Sequence, residues 1–239
     1  MYFEYYLMGI ILLPGLLLAI YAQTKVTTTY NKYNSVFSNS EVTASQLIKR
    51  LLSSCDMMHI RVNSINGHLS DHYDPRSEEI NLSHDVYSST SVSALGIACH
   101  EFGHALQKKE KYFFYEVRRI LVPITNFASK LLWPLVIIGL IFNLGVEGGG
   151  TIGNIFLYSG VIFFGASVLF NLVTLPVEFD ASKKALKILA STNTLTSEEL
   201  SQTKEVLDAA ALTYVAALIV SVLNLLRFLL VVLSNRNRN

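Results

Sequence analysis

Four long apolar stretches constrain the fold of this chain most, because each is long enough to cross a bilayer as a helix. They span residues 5–22, 120–142, 152–175 and 212–233. Only 15% of the 239 residues are charged, whereas a soluble domain carries about 25%. No basic segment precedes the first stretch and no small-residue cleavage site ends it, so we expect a retained membrane helix rather than a signal peptide. The sequence therefore predicts a membrane protein with about four transmembrane helices.

The distribution of Lys and Arg predicts an orientation in the membrane. Segment 23–119 contains many Lys and Arg residues and segment 176–211 contains four Lys residues, whereas the loop 143–151 contains neither residue type. By the positive-inside rule, the two basic segments lie in the cytoplasm and the glycine-rich loop lies outside. Arg236 and Arg238 argue mildly for the opposite orientation. The net charge of +1 gives no indication of a nucleic-acid partner.

The segment His100-Glu101-Phe102-Gly103-His104 carries the strongest chemical signal, and it lies inside the apolar run 92–106. Residues four apart share one face of a helix, so both imidazoles can bind one zinc ion. Glu101 stands beside the first histidine, where it can take a proton from a zinc-bound water as the general base. The segment therefore predicts a zinc site with hydrolytic chemistry. The alternative is a pair of surface histidines beside a solvated glutamate.

The soluble segment around this motif predicts a small α+β unit. Thr43-Ala44-Ser45-Gln46 fits a capping box that opens a helix. Alternating apolar residues predict a strand at 58–65, and Asn66-Gly67 is a hairpin signal that leads into a second strand at 68–73. A third short strand is predicted at 79–83, before the metal helix. The order helix, short β-meander and HExxH helix is that of a zincin-like domain.

One strand of this meander is a candidate for substrate binding. Zinc proteases of this plan hold the peptide as an added strand along an exposed sheet edge. The candidate edge strand consists of His68, Leu69, Ser70, Asp71 and His72. The alternative is a solvent-facing hairpin with ordinary polar side chains.

A catalytic zinc takes three protein ligands, so a third must come from elsewhere in the chain. The metzincin pattern requires a histidine six residues after His104, and Glu110 stands there instead. Glu178 fits the gluzincin pattern, in which a later helix supplies a glutamate, and Pro176 suits the first turn of that helix. Two predicted membrane spans separate His104 from Glu178, so both lie on the same side. The alternative is a surface carboxylate at a helix start.

Three motifs together resemble one family. They are His100-Glu101-Phe102-Gly103-His104-Ala105-Leu106-Gln107, the segment 67–75, and Leu175-Pro176-Val177-Glu178-Phe179-Asp180-Ala181-Ser182. In this order they resemble the YugP-type membrane zinc metallopeptidases over nearly the whole chain, and the segment 209–217 around Tyr214 resembles them too. The resemblance implies a gluzincin-like protease, with Zn²⁺ held by His100, His104 and Glu178 and with Glu101 as the general base.

A more distant likeness concerns the residues around the zinc ligands. In the HtpX and CAAX-prenyl membrane proteases, the third-ligand glutamate is followed four residues later by an aspartate. Ser182 stands at that position here and Asp180 precedes it, so both are candidates to orient a zinc-bound histidine. His68, His72 and Tyr214 are the candidate donors to the oxyanion that forms during hydrolysis.

The expected function is peptide-bond hydrolysis by a zinc metalloendopeptidase that is integral to a bacterial cell membrane, with its active site on the cytoplasmic side. Its expected partners are peptide or protein substrates, membrane proteins among them, and the lipid bilayer. The alternative is a non-catalytic four-helix membrane scaffold with a structural zinc site. An intramembrane site-2-type protease is disfavoured, because the HExxH segment does not lie in a predicted span.

The expected divisions are an N-terminal transmembrane helix (1–22), a soluble zincin-like domain (23–119), two transmembrane helices with their loop (120–175), a cytoplasmic segment with the third-ligand helix (176–211), and a C-terminal transmembrane helix with its tail (212–239).

Overall fold

The computed structural model describes residues 9–145 and 150–236 of the chain. Its helices are α1 (Leu13–Asn34), α2 (Ala44–Ser54), α3 (His84–Tyr87), α4 (Val92–Lys109), α5 (Phe113–Gly145), α6 (Gly150–Ser191) and α7 (Ser197–Arg236). Its strands are β1 (Arg61–Ile65), β2 (His72–Asp74) and β3 (Glu79–Ser83). The described chain is therefore mostly helical with one small sheet. It divides into two compact units, and the one that contains the sheet consists of Ala22–Tyr115 and Pro176–Thr213; we call it the sheet unit.

Three helices of the described residues are long and apolar enough to cross a membrane, judged by length and composition. They cover Phe113–Phe142, Gly150–Ser191 and Ser197–Leu233. Large apolar side chains along them are exposed, as at Trp133, and lipid would cover such a surface. The stretch predicted at 5–22 begins outside the described residues, so the count of four spans stays a prediction.

Two of these helices, α6 and α7, continue through positions where the sequence predicts a helix or a membrane span to begin. α6 continues without a break from Gly150 to Ser191, so Pro176 lies inside a helix and the prediction of a helix start there is wrong. A proline inside a helix removes one backbone hydrogen bond, and tertiary packing offsets that loss here, since the next residues Val177 and Glu178 are almost completely buried. α7 likewise begins at Ser197, well before the predicted span at 212–233.

The sheet differs in topology from the predicted meander. Its strand order is β1-β3-β2, with β3 parallel to β1 and antiparallel to β2. Ile80 at the middle of β3 stands opposite Val62 on one side and Tyr73 on the other. The prediction of a hairpin at Asn66-Gly67 is therefore wrong, because β1 and β2 are separated by the central strand.

The physical reason for this difference lies in the segment before β2. Leu69 has a left-handed backbone (φ 52°) that interrupts any extended strand, and the Asp71 carboxylate accepts hydrogen bonds from the Ser83 backbone and hydroxyl at the end of β3. Of the predicted edge strand, His72 alone lies in β2, while residues 68–71 form a connection. β3 is placed at the centre because Ile80 and Leu82 are fully buried.

The helices of the sheet unit surround a single apolar core. The capping box of α2 is confirmed: the Thr43 side chain accepts from the Gln46 backbone, and the Gln46 side chain accepts from the Thr43 backbone. The core is formed by buried side chains of α2, β3, α4 and the last part of α6, among them Ile48, Leu82, Leu95, Phe102 and Leu189. This packing holds α4 against α6, and the candidate site lies between these two helices.

Candidate metal centre

The HExxH segment lies in the second half of α4. The helix begins after Ser91, whose hydroxyl accepts from the Ala94 backbone as an N-cap, and such a cap satisfies one of the free amides of the first turn. The rings of His100 and His104 lie one turn apart on the same face, with their centroids separated by 4.8 Å. Both side chains are largely buried, at 14% and 11% exposure. The local spacing thus brings the two imidazoles to one place.

Glu178 of α6 meets both imidazoles. Its Oε2 atom lies 3.2 Å from Nε2 of His100 and 3.6 Å from Nε2 of His104. The three side chains offer ligand atoms that all lie within 4.8 Å of one another. Burial lowers the pKa of His104, but the hydrogen bond and the charge of Glu178 outweigh that effect and hold the pKa above its usual value. The site therefore favours a cation between these side chains.

The outer nitrogens of both rings are engaged by neutral partners. Nδ1 of His100 lies 3.1 Å from the Ser182 hydroxyl, and Nδ1 of His104 lies 2.9 Å from Oε1 of Gln107. An amide oxygen can only accept, so His104 carries its proton on Nδ1. In the neutral ring Nε2 is therefore the unprotonated nitrogen and the one available to a metal ion, which is the arrangement that a metal-binding histidine requires.

Gln107 was not recognised from the sequence as a site residue. It follows His104 by three positions, so it lies on the same helix face, and this spacing is the one signal that could have indicated it. Asp180, a predicted candidate, lies behind Gln107, which donates to its carboxylate at 2.9 Å. Lys184 forms an ion pair with Asp180 at 2.8 Å and with Glu110 at 3.2 Å.

Glu101 is held beside the cluster by the sheet. Its Oε2 atom accepts a hydrogen bond of 2.9 Å from the Tyr73 backbone amide of β2. The side chain is 8% exposed. β2 thereby fixes the orientation of a carboxylate that follows His100 directly in the chain.

A family comparison agrees with this geometry. A family model described as "Putative neutral zinc metallopeptidase" matches residues 8–233. The chain belongs to this family. It is also 40% identical over 223 residues to "Putative membrane protease YugP" of Bacillus subtilis (strain 168). The aligned residues cover 93% of this chain and 95% of that protein. The resemblance seen in the sequence motifs is thus confirmed. No solved structure matches the chain.

The donor set of the cluster fits a zinc ion of the kind that the family description implies. Two imidazoles and one carboxylate form a common ligand set of catalytic zinc, whereas structural zinc sites use four ligands and favour cysteine. Cys99, the neighbour of His100, is fully buried in the apolar core, and burial raises the pKa of its thiol. Within the described ranges, His100, His104 and Glu178 form the one cluster of this type.

The remaining candidates have other partners. The His68 ring packs edge-on against Tyr30, with centroids 5.3 Å apart, and lies 4.0 Å from Asp85. His72 is exposed on β2, where its Nδ1 lies 2.8 Å from the Ser70 carbonyl oxygen. Neither histidine is brought into the cluster by these contacts. Tyr214 belongs to the other compact unit.

Proposed function

We propose that this chain is a membrane zinc metalloendopeptidase in which His100, His104 and Glu178 hold the metal and Glu101 is the catalytic base. The observation that carries the proposal is the convergence of two imidazole nitrogens and one carboxylate oxygen within 4.8 Å. A second carboxylate, Glu101, follows His100 directly in the chain and is held separately by β2. The family description and the name of the relative, a membrane protease, support the same reaction class.

In this proposal the metal and the side chains of the protein have separate roles in hydrolysis. A zinc ion at the cluster would lower the pKa of a bound water towards neutrality and polarise the scissile carbonyl. Glu101 accepts the proton of the attacking water and passes it to the leaving amine. The Tyr73 amide holds Glu101 in place during both transfers. Ser182 keeps the imidazole of His100 oriented with Nε2 towards the metal position.

The substrate would be an extended peptide segment next to β2. This strand is at an edge of the sheet, and its backbone contacts Glu101 directly. A peptide that lies along such an edge brings its carbonyl groups near the catalytic carboxylate. His72 on the same strand is then the candidate donor to the oxyanion. The distribution of Lys and Arg supports an active site on the cytoplasmic side, with membrane proteins among its substrates.

Metal analysis of the purified full chain tests this proposal. Wild-type protein in detergent should contain about one zinc per chain, whereas Glu178→Ala should lose most of it, because two ligands bind zinc far more weakly than three. Glu101→Gln should retain zinc and lose casein hydrolysis. Glu198→Gln, a change of an exposed carboxylate on α7, is the control and should match wild type in both measurements.

Two results would contradict the proposal. Full zinc content in Glu178→Ala would remove Glu178 from the ligand set, and full hydrolysis by Glu101→Gln would remove the catalytic base. A purely structural zinc would give a third pattern: a chelator would lower the melting temperature of wild-type protein, and no zinc-dependent hydrolysis would be found in any sample.

A further inference from the structure

Gln107 lies at the centre of a buried hydrogen-bond layer behind the zinc ligands. Its side chain is completely buried, and all its polar atoms are engaged. Oε1 accepts from Nδ1 of His104 at 2.9 Å. Nε2 donates to the Val177 carbonyl oxygen at 2.7 Å and to the Asp180 carboxylate at 2.9 Å. One side chain of α4 therefore contacts a metal ligand on its own helix and two groups of α6.

The chemistry of these partners permits a single orientation of the amide. The Val177 carbonyl and the Asp180 carboxylate can only accept hydrogen bonds, so both must be met by the NH₂ group of Gln107. The carbonyl oxygen of the amide is then directed to His104. A reversed amide would place an oxygen against two acceptors in a buried site and leave both of them without a donor.

The hydrogen bond from Gln107 to Val177 bears on the position of Glu178. Val177 directly precedes Glu178, so the hydrogen bond from Gln107 holds the backbone that carries the third ligand. Gln107 thus links the ring of His104 on α4 to the backbone beside Glu178 on α6. Asp180 fixes the outer side of the amide, and Lys184, 2.8 Å from Asp180, balances the charge of that carboxylate.

We propose that Gln107 is a positioning residue of the metal centre, which fixes His104 and Glu178 relative to each other and depends on Asp180 to do so. The inference rests on the proposed function, since it assigns Gln107 a role towards the same metal. It adds a residue of α4 to Ser182 and Asp180, the two candidates that the sequence offered for orienting a zinc-bound histidine. Nδ1 of His104 contacts a neutral amide, and the Asp180 carboxylate contacts that amide.

Zinc affinity of the full chain, measured by competition with a chromophoric chelator, tests the role of Gln107. Gln107→Met keeps the length of the side chain and removes its hydrogen bonds, so it should weaken zinc binding about 10–100-fold, as is typical of lost outer partners of a ligand. The visible bands of Co²⁺-loaded protein should also change, because they report the geometry of the ligands. Gln23→Met, on the exposed side of α1, is the matched control and should leave both measurements unchanged.

A rescue experiment separates positioning from general damage to the fold. Gln107→Glu retains an acceptor for His104 but places two carboxylates about 2.9 Å apart, so zinc binding should again weaken. Adding Asp180→Asn restores a donor opposite the new carboxylate and removes the repulsion between the two carboxylates, while the Val177 carbonyl oxygen still faces an acceptor in both variants. The double variant should recover at least about tenfold in zinc affinity over Gln107→Glu.

The outcomes separate this inference from the proposed function. Wild-type protein that binds no zinc overturns both. Wild-type zinc affinity and Co²⁺ bands in Gln107→Met overturn the inference about Gln107 alone. If Gln107→Met does not fold, the comparison between Gln107→Glu and the double variant decides, and equal zinc affinity in these two overturns the inference.

Discussion

Gly103 of α4 lies directly against the backbone of Ala181 on α6. A β-carbon placed on Gly103 would lie 2.8 Å from the Ala181 carbonyl oxygen and 3.2 Å from its Cα atom. Backbone atoms cannot yield as a flexible side chain can, so glycine is required for this approach. Gly103 stands between the two histidines and Ala181 between Glu178 and Ser182. The distance between the helices at this contact therefore sets the distance between the two imidazoles and the Glu178 carboxylate.

Gly103→Ala should separate the helices and weaken the site. Forcing one methyl group into a packed contact costs about 1–3 kcal/mol, so the melting temperature of the metal-free protein should fall. Zinc affinity should fall as well, because His100 and His104 move away from Glu178. Both quantities can be measured on protein in detergent.

Gly165→Ala is the matched control for this substitution. Gly165 lies inside helix α6, and its added β-carbon would meet nothing within 4 Å. This variant should keep the wild-type zinc affinity. If Gly103→Ala also keeps it, the close approach of the two helices does not determine ligand geometry.

Ser182→Ala should weaken zinc binding while the protein stays folded. The hydroxyl of Ser182 is the partner of Nδ1 of His100 at 3.1 Å, and removing such a partner typically costs about 10–100-fold in metal affinity or activity. Ser182→Thr retains the hydroxyl and should recover most of the zinc affinity. Equal zinc affinity in wild type and Ser182→Ala would show that the ring of His100 needs no such partner.

The cluster of His100, His104 and Glu178 could be anticipated from the sequence because its signals are local. The i, i+4 spacing of His100 and His104 follows from helix geometry, and Glu178 lies in a short motif with Ala181 and Ser182. The capping box of Thr43 and Gln46 is also a four-residue pattern. In each of these cases, the chemistry of neighbouring residues is sufficient to indicate the outcome.

The features that were missed depend on residues far apart in the chain. The Asn66-Gly67 signal predicted a hairpin, but the partner of β1 is decided by burial of Ile80 in the core, which a local pattern does not contain. Gln107 acquires its role from Val177 and Asp180, which are 70 and 73 residues further along the chain. Apart from its position three residues after His104, nothing in the local sequence distinguishes Gln107 from an ordinary polar residue at the end of a helix.

Asp71 should make the stability of the metal-free protein depend on pH. Burial raises the pKa of this carboxyl, and the hydrogen bonds from Ser83 lower it by less. A folded-state pKa above the unfolded value means that the fold binds the proton more tightly. The contribution of Asp71 to stability is therefore fully present at pH values below the unfolded pKa. It is lost as pH rises through the folded pKa, and the loss is about 1.4 kcal/mol for each pH unit that separates the two pKa values.

Asp71→Asn isolates this effect, because the amide keeps an acceptor for Ser83 and has no charge at any pH. The melting temperature of the variant minus that of wild type should become more positive between about pH 4 and about pH 8. Asp85→Asn, at a side chain that is 63% exposed, is the control and should show a smaller change with pH. The expectation for Asp71 fails if its difference stays constant or becomes more negative over this interval.

Tyr73→Pro should separate metal binding from catalysis. The substitution removes the backbone amide that holds Glu101, and proline is tolerated in an edge strand such as β2. Zinc content should therefore stay at the wild-type value, since none of the three ligands contacts this amide. Casein hydrolysis should fall about 10–100-fold, as expected when an orienting hydrogen bond is lost, whereas Tyr73→Phe keeps the amide and should retain activity. Undiminished hydrolysis by the proline variant would mean that Glu101 is oriented without help from the sheet, and β2 would then contribute to the site through substrate binding alone.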